Sequence, residues 1–288
     1  MNAWEFAKLA RQAAELGRVV IAAGDFNSVP PTLPMRIIRD HAQLDDAWVV
    51  THPDTPDPSP TNPPSPQDAI RVHGVTADSP LNSYSAGKRL EPMARAFQGK
   101  RLDYVFYRHP PRASSGAPRL RPVDTRVVLS ERVPARPFSF SDHFGLEATF
   151  EISVPPPEDL DETPSAGGVN GQLSPSKDVS PDSITQALTS LTARYRFAQS
   201  QARFQMAVLY ACLFLLLVIV VTAAWFPLGI RPVFILISIA LTWLATTMLY
   251  AGFIYGNWEV NALTNIIEEL ELYRSSLEHR LRGGRRSQ

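Results

Sequence analysis

The stretch Val19-Val20-Ile21-Ala22-Ala23-Gly24-Asp25-Phe26-Asn27 decides how this chain is read. Its five leading apolar residues predict a buried strand. A glycine ends the run, and a carboxylate and an amide follow two residues apart. Side chains alternate along a strand, so Asp25 and Asn27 can point to the same side. An acidic oxygen beside a neutral amide suits a hard cation and a phosphate oxygen. The same four residues are also ordinary turn chemistry.

Two later stretches carry matching chemistry. Arg101-Leu102-Asp103-Tyr104-Val105-Phe106 reads as a strand with an inward acid, Asp103. Ser141-Asp142-His143-Phe144-Gly145-Leu146 sets Asp142 next to His143, just before another apolar segment. Singly, these are a strand acid and a histidine cap. His143 is the one sensible general base among the motif residues, because an unperturbed imidazole titrates near ~6.5. The three stretches lie far apart in sequence, so only folding brings them together.

In this order, GDFN, RLDYVF and SDHFGL resemble the endonuclease/exonuclease/phosphatase superfamily. Asp78-Ser79-Pro80-Leu81-Asn82-Ser83-Tyr84, with the apolar segments near the end of the chain, is similar to inositol phosphosphingolipid phospholipases C and neutral sphingomyelinases. The resemblance covers residues 1–150 by motif and 183–288 by layout. It implies an α/β fold, the second half of a four-layer α-β-β-α sandwich, with a two-helix transmembrane hairpin behind it. It also implies that the family's metal-binding Glu and an Asn, found in the first half of that fold, have no counterpart here, as in an N-terminally truncated gene model or a fragment.

By the same resemblance, Asp103 accepts a hydrogen bond from His143, Asp142 binds Mg²⁺, Asp25 orients the attacking water and Asn27 holds a phosphate oxygen. The implied activity is hydrolysis of inositol phosphosphingolipids or sphingomyelin to ceramide. The alternatives are an inactive membrane-anchored remnant and a nuclease or phosphatase of the same fold. Asn82, Ser83 and Tyr84 can hydrogen-bond a lipid headgroup or equally close a turn; Asn82 is carried forward as a substrate-binding candidate.

Composition narrows the partners. Formal net charge is zero, so no global field favours nucleic acid. Residues 1–150 hold 18 Lys+Arg against 16 Asp+Glu, residues 151–182 one against seven, and residues 183–288 nine against five. The single cysteine, Cys212, excludes an internal disulfide framework and fits a reducing compartment. The opening Met1-Asn2-Ala3-Trp4-Glu5-Phe6 does not read as a signal peptide.

Apolar positions from Trp4 to Leu16 recur at helical spacing, with Gly17 as a C-terminal cap. Met35 to His41 reads as a short helix, and His52 to Pro66 as a proline-rich surface insertion. His52 is expected as a solvated loop residue, and Lys88-Arg89 and Lys100-Arg101 as solvated basic pairs. Strands are expected at 102–107, 126–129 and 146–154, closing a catalytic segment over residues 1–154. Residues 155–182, rich in Pro, Ser and Asp, read as a disordered acidic tether.

Residues 206–226 and 233–255 are uncharged apolar stretches of membrane-crossing length. Arg194, Arg196 and Arg203 precede the first, and Arg280, Arg282, Arg285 and Arg286 end the chain. The positive-inside tendency therefore turns both ends, and the catalytic segment, to the cytosol. An integral, multi-pass protein of the endoplasmic reticulum or mitochondrial membrane follows, with anionic phospholipid as an activator. The flanking helices, 183–205 and 257–282, carry heptad-like stripes: Ile184, Leu188, Leu191, Tyr195, Ala198 and Ala202 on one, and Val260, Leu263, Ile267, Leu270, Leu277 and Leu281 on the other, with Arg274 interrupting. They predict an antiparallel coiled coil whose Arg194 and Arg196 face Glu268, Glu269 and Glu271.

Overall fold

A computed structural model describes residues 2–56, 63–111, 118–153, 179–225 and 227–286; for Leu228 and residues 281–286 the backbone alone is described. The chain divides into two compact units, residues 2–180 and 181–288. The expected tether lies mostly outside the described residues, as does the middle of the proline-rich stretch.

The first unit opens with helix α1 (Asn2–Glu15), which buries Trp4, Ala7, Ala10 and Ala14 along one stripe. It stops because Gly17, at φ +84°, takes the left-handed conformation that glycine tolerates, and its N–H closes onto the Ala14 carbonyl at 2.9 Å. Strand β1 (Val20–Asp25) follows, then α2 (Leu33–Ala42), which packs on α1. Short elements come next: β2 (Asp45–Asp46), α3 (Ala47–Thr51), α4 (Pro66–Arg71) and α5 (Pro92–Ala96). Strands β3 (Asp103–Arg108), β4 (Arg119–Val128) and β5 (Gly145–Ser153) complete the unit.

One sheet has the order β1-β3-β2, with both neighbours antiparallel to β3. Its register places Asp25 opposite Asp103. The rings of Phe26, Tyr104 and Phe106 meet edge to face, at 5.7 and 5.2 Å from the Phe26 centroid, and fix the chain just beyond β1 against β3. Strands β4 and β5 form a separate two-stranded sheet, with an irregularity between Pro122 and Asp124, where proline offers no N–H to the ladder. The described residues thus form one three-stranded and one two-stranded sheet, with Tyr107 of β3 against Phe150 of β5.

The expectation of a buried first strand is corrected. Ile21 is 57 % exposed, Ala23 is also exposed, and Val20 and Ala22 are only half-buried. The reason is position: β1 is hydrogen-bonded to a strand on one edge only among the described residues. Lys100 and Arg101 are a second correction, since neither is a solvated surface cation. Lys100 pairs with Asp78 at 3.1 Å and Glu91 at 2.8 Å. Arg101 is buried against Asp46 at 2.6 Å and lies over the Tyr104 ring. His52 is likewise no free loop residue; it stacks flat on Trp48, with ring centroids 4.2 Å apart.

The second unit is helical. Helix α6 (Pro181–Thr222) runs unbroken through the expected amphipathic segment and most of the first apolar stretch. Helix α7 (Arg231–Leu249) passes through a π-helical turn at Tyr250–Tyr255 into α8 (Gly256–Arg286). Each of the two resulting rods is long and apolar enough to cross a membrane. Helix α6 packs on both α7 and α8, with Leu209 and Cys212 against Ala245 in one buried cluster.

The seam on α8 differs from the expected one. Leu263, Ile266, Leu270 and Leu277 are buried, so the stripe uses Ile266 instead of Ile267. Tyr273 completes the three-four spacing, which leaves Arg274 beside the seam, where it approaches Glu278. Arg194 bonds Glu259 at 2.6 and 2.9 Å, in place of the acids further along α8.

Candidate functional site

The site forms where β1 ends and β3 begins. Because Asp25 and Asp103 are register partners in an antiparallel pair, their side chains leave the same face of the sheet. Asp25 is held by its own loop. Asn27 sits at φ +48°, and from there its backbone N–H donates to Asp25 Oδ1 at 2.8 Å and its Nδ2 to Asp25 Oδ2 at 3.0 Å. The two side chains meet, but through this turn and not by strand alternation, since β1 ends at Asp25. The Tyr104 hydroxyl donates to the Ser28 carbonyl at 2.7 Å and to the Arg101 carbonyl at 2.9 Å, tying the Asp25–Asn27 loop to β3.

His143 reaches the site from the loop before β5. Its Nδ1 lies 2.8 Å from Asp103 Oδ2. An ionised carboxylate only accepts, so this contact assigns the proton to Nδ1 and leaves Nε2 free for chemistry. Burial opposes the charged imidazolium, but the hydrogen bond and charge of Asp103, with the charges of Asp25 and Asp142, outweigh it; the His143 pKa lies above its ordinary 6.5. Behind His143, Phe144 is buried with Ala69, Ile70 and Val75, which anchors the loop in apolar packing.

One oxygen or nitrogen from each of Asp25, Asp103 and His143 lies within 4.8 Å of the others. Both acids of this group already accept hydrogen bonds, Asp103 from His143 and Asp25 from Asn27, and Asp25 is the more exposed of the two. Asp142 lies at the exposed rim, where its Oδ1 accepts from Ser141 Oγ at 3.1 Å. Asp142 is not part of the Asp25–Asp103–His143 group; carboxylates and an imidazole gathered this way suit a hard divalent ion that keeps several waters and a substrate phosphate in its shell.

Asn82 is not at the surface of this site. It is fully buried; its Nδ2 donates to the Ser141 carbonyl at 2.9 Å and its Oδ1 accepts from the Tyr84 N–H at 2.9 Å. This geometry fits a brace beneath the Asp142–His143 loop, not the headgroup contact considered from sequence. Ser83 and Ser139 add a reciprocal pair, each hydroxyl accepting the other's backbone N–H, at 2.7 and 3.1 Å. Thr76 has no counterpart in the sequence reading: it is fully buried and bonded to the segments that carry Asp103 and His143. Its one signal in the sequence is its place in the short run between Gly74 and Asp78.

Comparison with known proteins places this geometry in context. Residues 1–143 match the model of the Endonuclease/Exonuclease/phosphatase family. The chain is 29 % identical over 274 residues to an inositol phosphosphingolipids phospholipase C of Schizosaccharomyces pombe, covering 94 % of this chain and 59 % of that protein. It is 27 % identical over 275 residues to the Saccharomyces cerevisiae protein of the same description, covering 93 % of this chain and 54 % of the relative. The chain therefore spans little more than half the length of these relatives.

Proposed function

Given that residues 1–143 belong to the Endonuclease/Exonuclease/phosphatase family, we propose that the chain forms part of a membrane-anchored phosphodiesterase that hydrolyses sphingolipids in the manner of a phospholipase C. The observation that carries this reading is the His143–Asp103 pair, 2.8 Å apart and facing Asp25 across the β1–β3 register. The names of the two yeast relatives supply the substrate class, inositol phosphosphingolipids, and the resemblance of the sequence to neutral sphingomyelinases makes sphingomyelin the second candidate. In this reading the small sheets belong to a larger four-layer fold of the family type.

His143 Nε2 takes a proton from water as that water attacks the phosphodiester phosphorus. The bond to the ceramide oxygen then breaks, that oxygen takes a proton from solvent, and ceramide and the phosphorylated headgroup leave while the imidazolium returns its proton to solvent. Asp103 holds the Nδ1 tautomer and stabilises the imidazolium that forms. Asp25 orients the water, and Asn27 turns an N–H toward a phosphate oxygen. Asp25 and Asp142 are the residues that would hold Mg²⁺, whose chemistry is to neutralise charge on the phosphoryl oxygens. Base catalysis of this kind contributes about 10²–10⁴-fold.

The two apolar rods span the membrane with their Arg-rich ends in the cytosol, in the endoplasmic reticulum or mitochondria, and anionic phospholipid at those ends serves as activator. The chain in vesicles of phosphatidylcholine with inositol phosphoceramide or sphingomyelin should release the phosphorylated headgroup when Mg²⁺ is present and stop when it is chelated. His143→Ala should lower the rate about 10²–10⁴-fold and leave vesicle binding intact. A His143→Ala protein as active as the parent removes this reading.

A further inference from the structure

We propose that Thr76 is the positioning residue that holds the Asp103–His143 pair together, and this rests on the functional reading above for its catalytic consequence. Among the described residues no strand covers the start of β3 on the side away from β1, because β2 pairs only with Tyr107 and Phe106. Thr76 takes that place. Its Oγ1 accepts the backbone N–H groups of Leu102 and Asp103, both at 3.3 Å. Its carbonyl accepts the Phe144 N–H at 2.7 Å, and its own N–H donates to the Lys100 carbonyl at 3.0 Å. The next residue, Ala77, pairs with Lys100 on one side and with His143 on the other.

One fully buried residue thus bonds the amide of Asp103 through its side chain and the residue after His143 through its backbone. A hydroxyl oxygen has two acceptor sites, and the two N–H groups fill both. The neighbouring packing leaves little slack: a side chain at Gly99 would press on Val75 and on the Ala77 carbonyl. The methyl of Thr76 fills space, but the hydroxyl fixes the height of Asp103 relative to His143. Serine retains that function and valine loses it.

The test compares Thr76→Val, Thr76→Ser and Thr125→Val in the full chain. Thr125, on β4, is also buried, and its hydroxyl has no hydrogen-bond partner among the described residues, so it controls for the loss of a buried threonine. Thr76→Val is expected to lower kcat about 10- to 100-fold with KM changed less than about twofold, because a small misplacement of a base costs turnover more than binding. Thr76→Ser should restore kcat to within about threefold of the parent, and Thr125→Val should leave it unchanged.

The second readout needs no activity. The Nδ1 proton of His143, bonded to Asp103, gives a downfield imidazole NMR signal that Thr76→Val should broaden or shift and Thr125→Val should not. If the parent chain hydrolyses no phosphodiester, the functional reading fails, and this signal alone decides the role of Thr76. If Thr76→Val does not fold, hydrogen exchange in the parent decides: the Leu102 and Asp103 amides should be protected as strongly as those inside β3. Exchange of these amides at exposed-loop rates, or a Thr76→Val protein with the parent's kcat and Nδ1 signal, overturns the proposal.

Discussion

Along β3, Tyr104 and Phe106 are 2 % and 0 % exposed, whereas along its neighbour β1, Ile21 is 57 % exposed. By composition the order should be reversed. β1 follows from five consecutive apolar residues, and β3 begins with aspartate and ends with arginine. Place in the sheet decides the outcome: among the described residues β3 lies between β1 and, at Phe106 and Tyr107, β2, with the Thr76 segment beside its start, whereas β1 has a strand on one edge. The two carboxylates inherit the contrast. Asp103 is tied through its backbone to Thr76 and through its side chain to His143, while the Asp25 carboxylate is held by the loop that follows it. β3 therefore supplies a fixed half of the site, and β1 supplies an exposed carboxylate.

The largest expected effect sharpens that division. Removing Asp103 should lower kcat about 10²-fold or more and move the acid limb of the rate profile to lower pH. The sign follows from the raised His143 pKa. The base must be neutral, so activity falls as pH drops through a value above 6.5, and losing Asp103 removes the strongest of the influences that raise it. Asp25→Ala should move the limb less, since Asp25 acts on His143 by charge alone. A larger shift for Asp25→Ala would break the comparison. In stability the same pairing is fully present below the unfolded imidazole value near 6.5 and is lost as pH rises through the folded one.

The next effect concerns packing. Phe106→Ala on β3 empties a fully buried site in contact with Phe26 and Tyr104, and should cost about 3–5 kcal/mol in urea unfolding. A loss under about 1 kcal/mol would mean that the β3 face is not the core of this unit.

How much of this was legible in the sequence follows the range of each interaction. The carboxylates and His143 were legible because their motifs are local and their order is diagnostic; so were α1 and its Gly17 stop. The two apolar rods were visible from length alone. Lys100-Arg101 misled because their partners, Asp46, Asp78 and Glu91, lie elsewhere in the chain and nothing local signals an ion pair. Asn82 misled in the same way, since its Ser141 contact spans 59 residues. The α8 seam slipped by one residue because Ile266 and Ile267 are chemically equivalent, and only the packed partner chooses between them.

The smallest expected effect is the one most directly opposed to the sequence. Ile21→Thr replaces an exposed β-branched side chain with another, so strand preference is kept and little burial is lost. Stability should change by less than about 0.5 kcal/mol, as for a surface substitution away from any cap or core contact. Self-association should fall, because an apolar side chain on an edge strand with free N–H and C=O groups is a template for pairing with another copy. Light scattering and a urea midpoint measured on one preparation read both quantities. A loss above about 2 kcal/mol belongs to a buried isoleucine. It would show that β1 is covered as β3 is, and that the contrast between the two strands does not hold in solution.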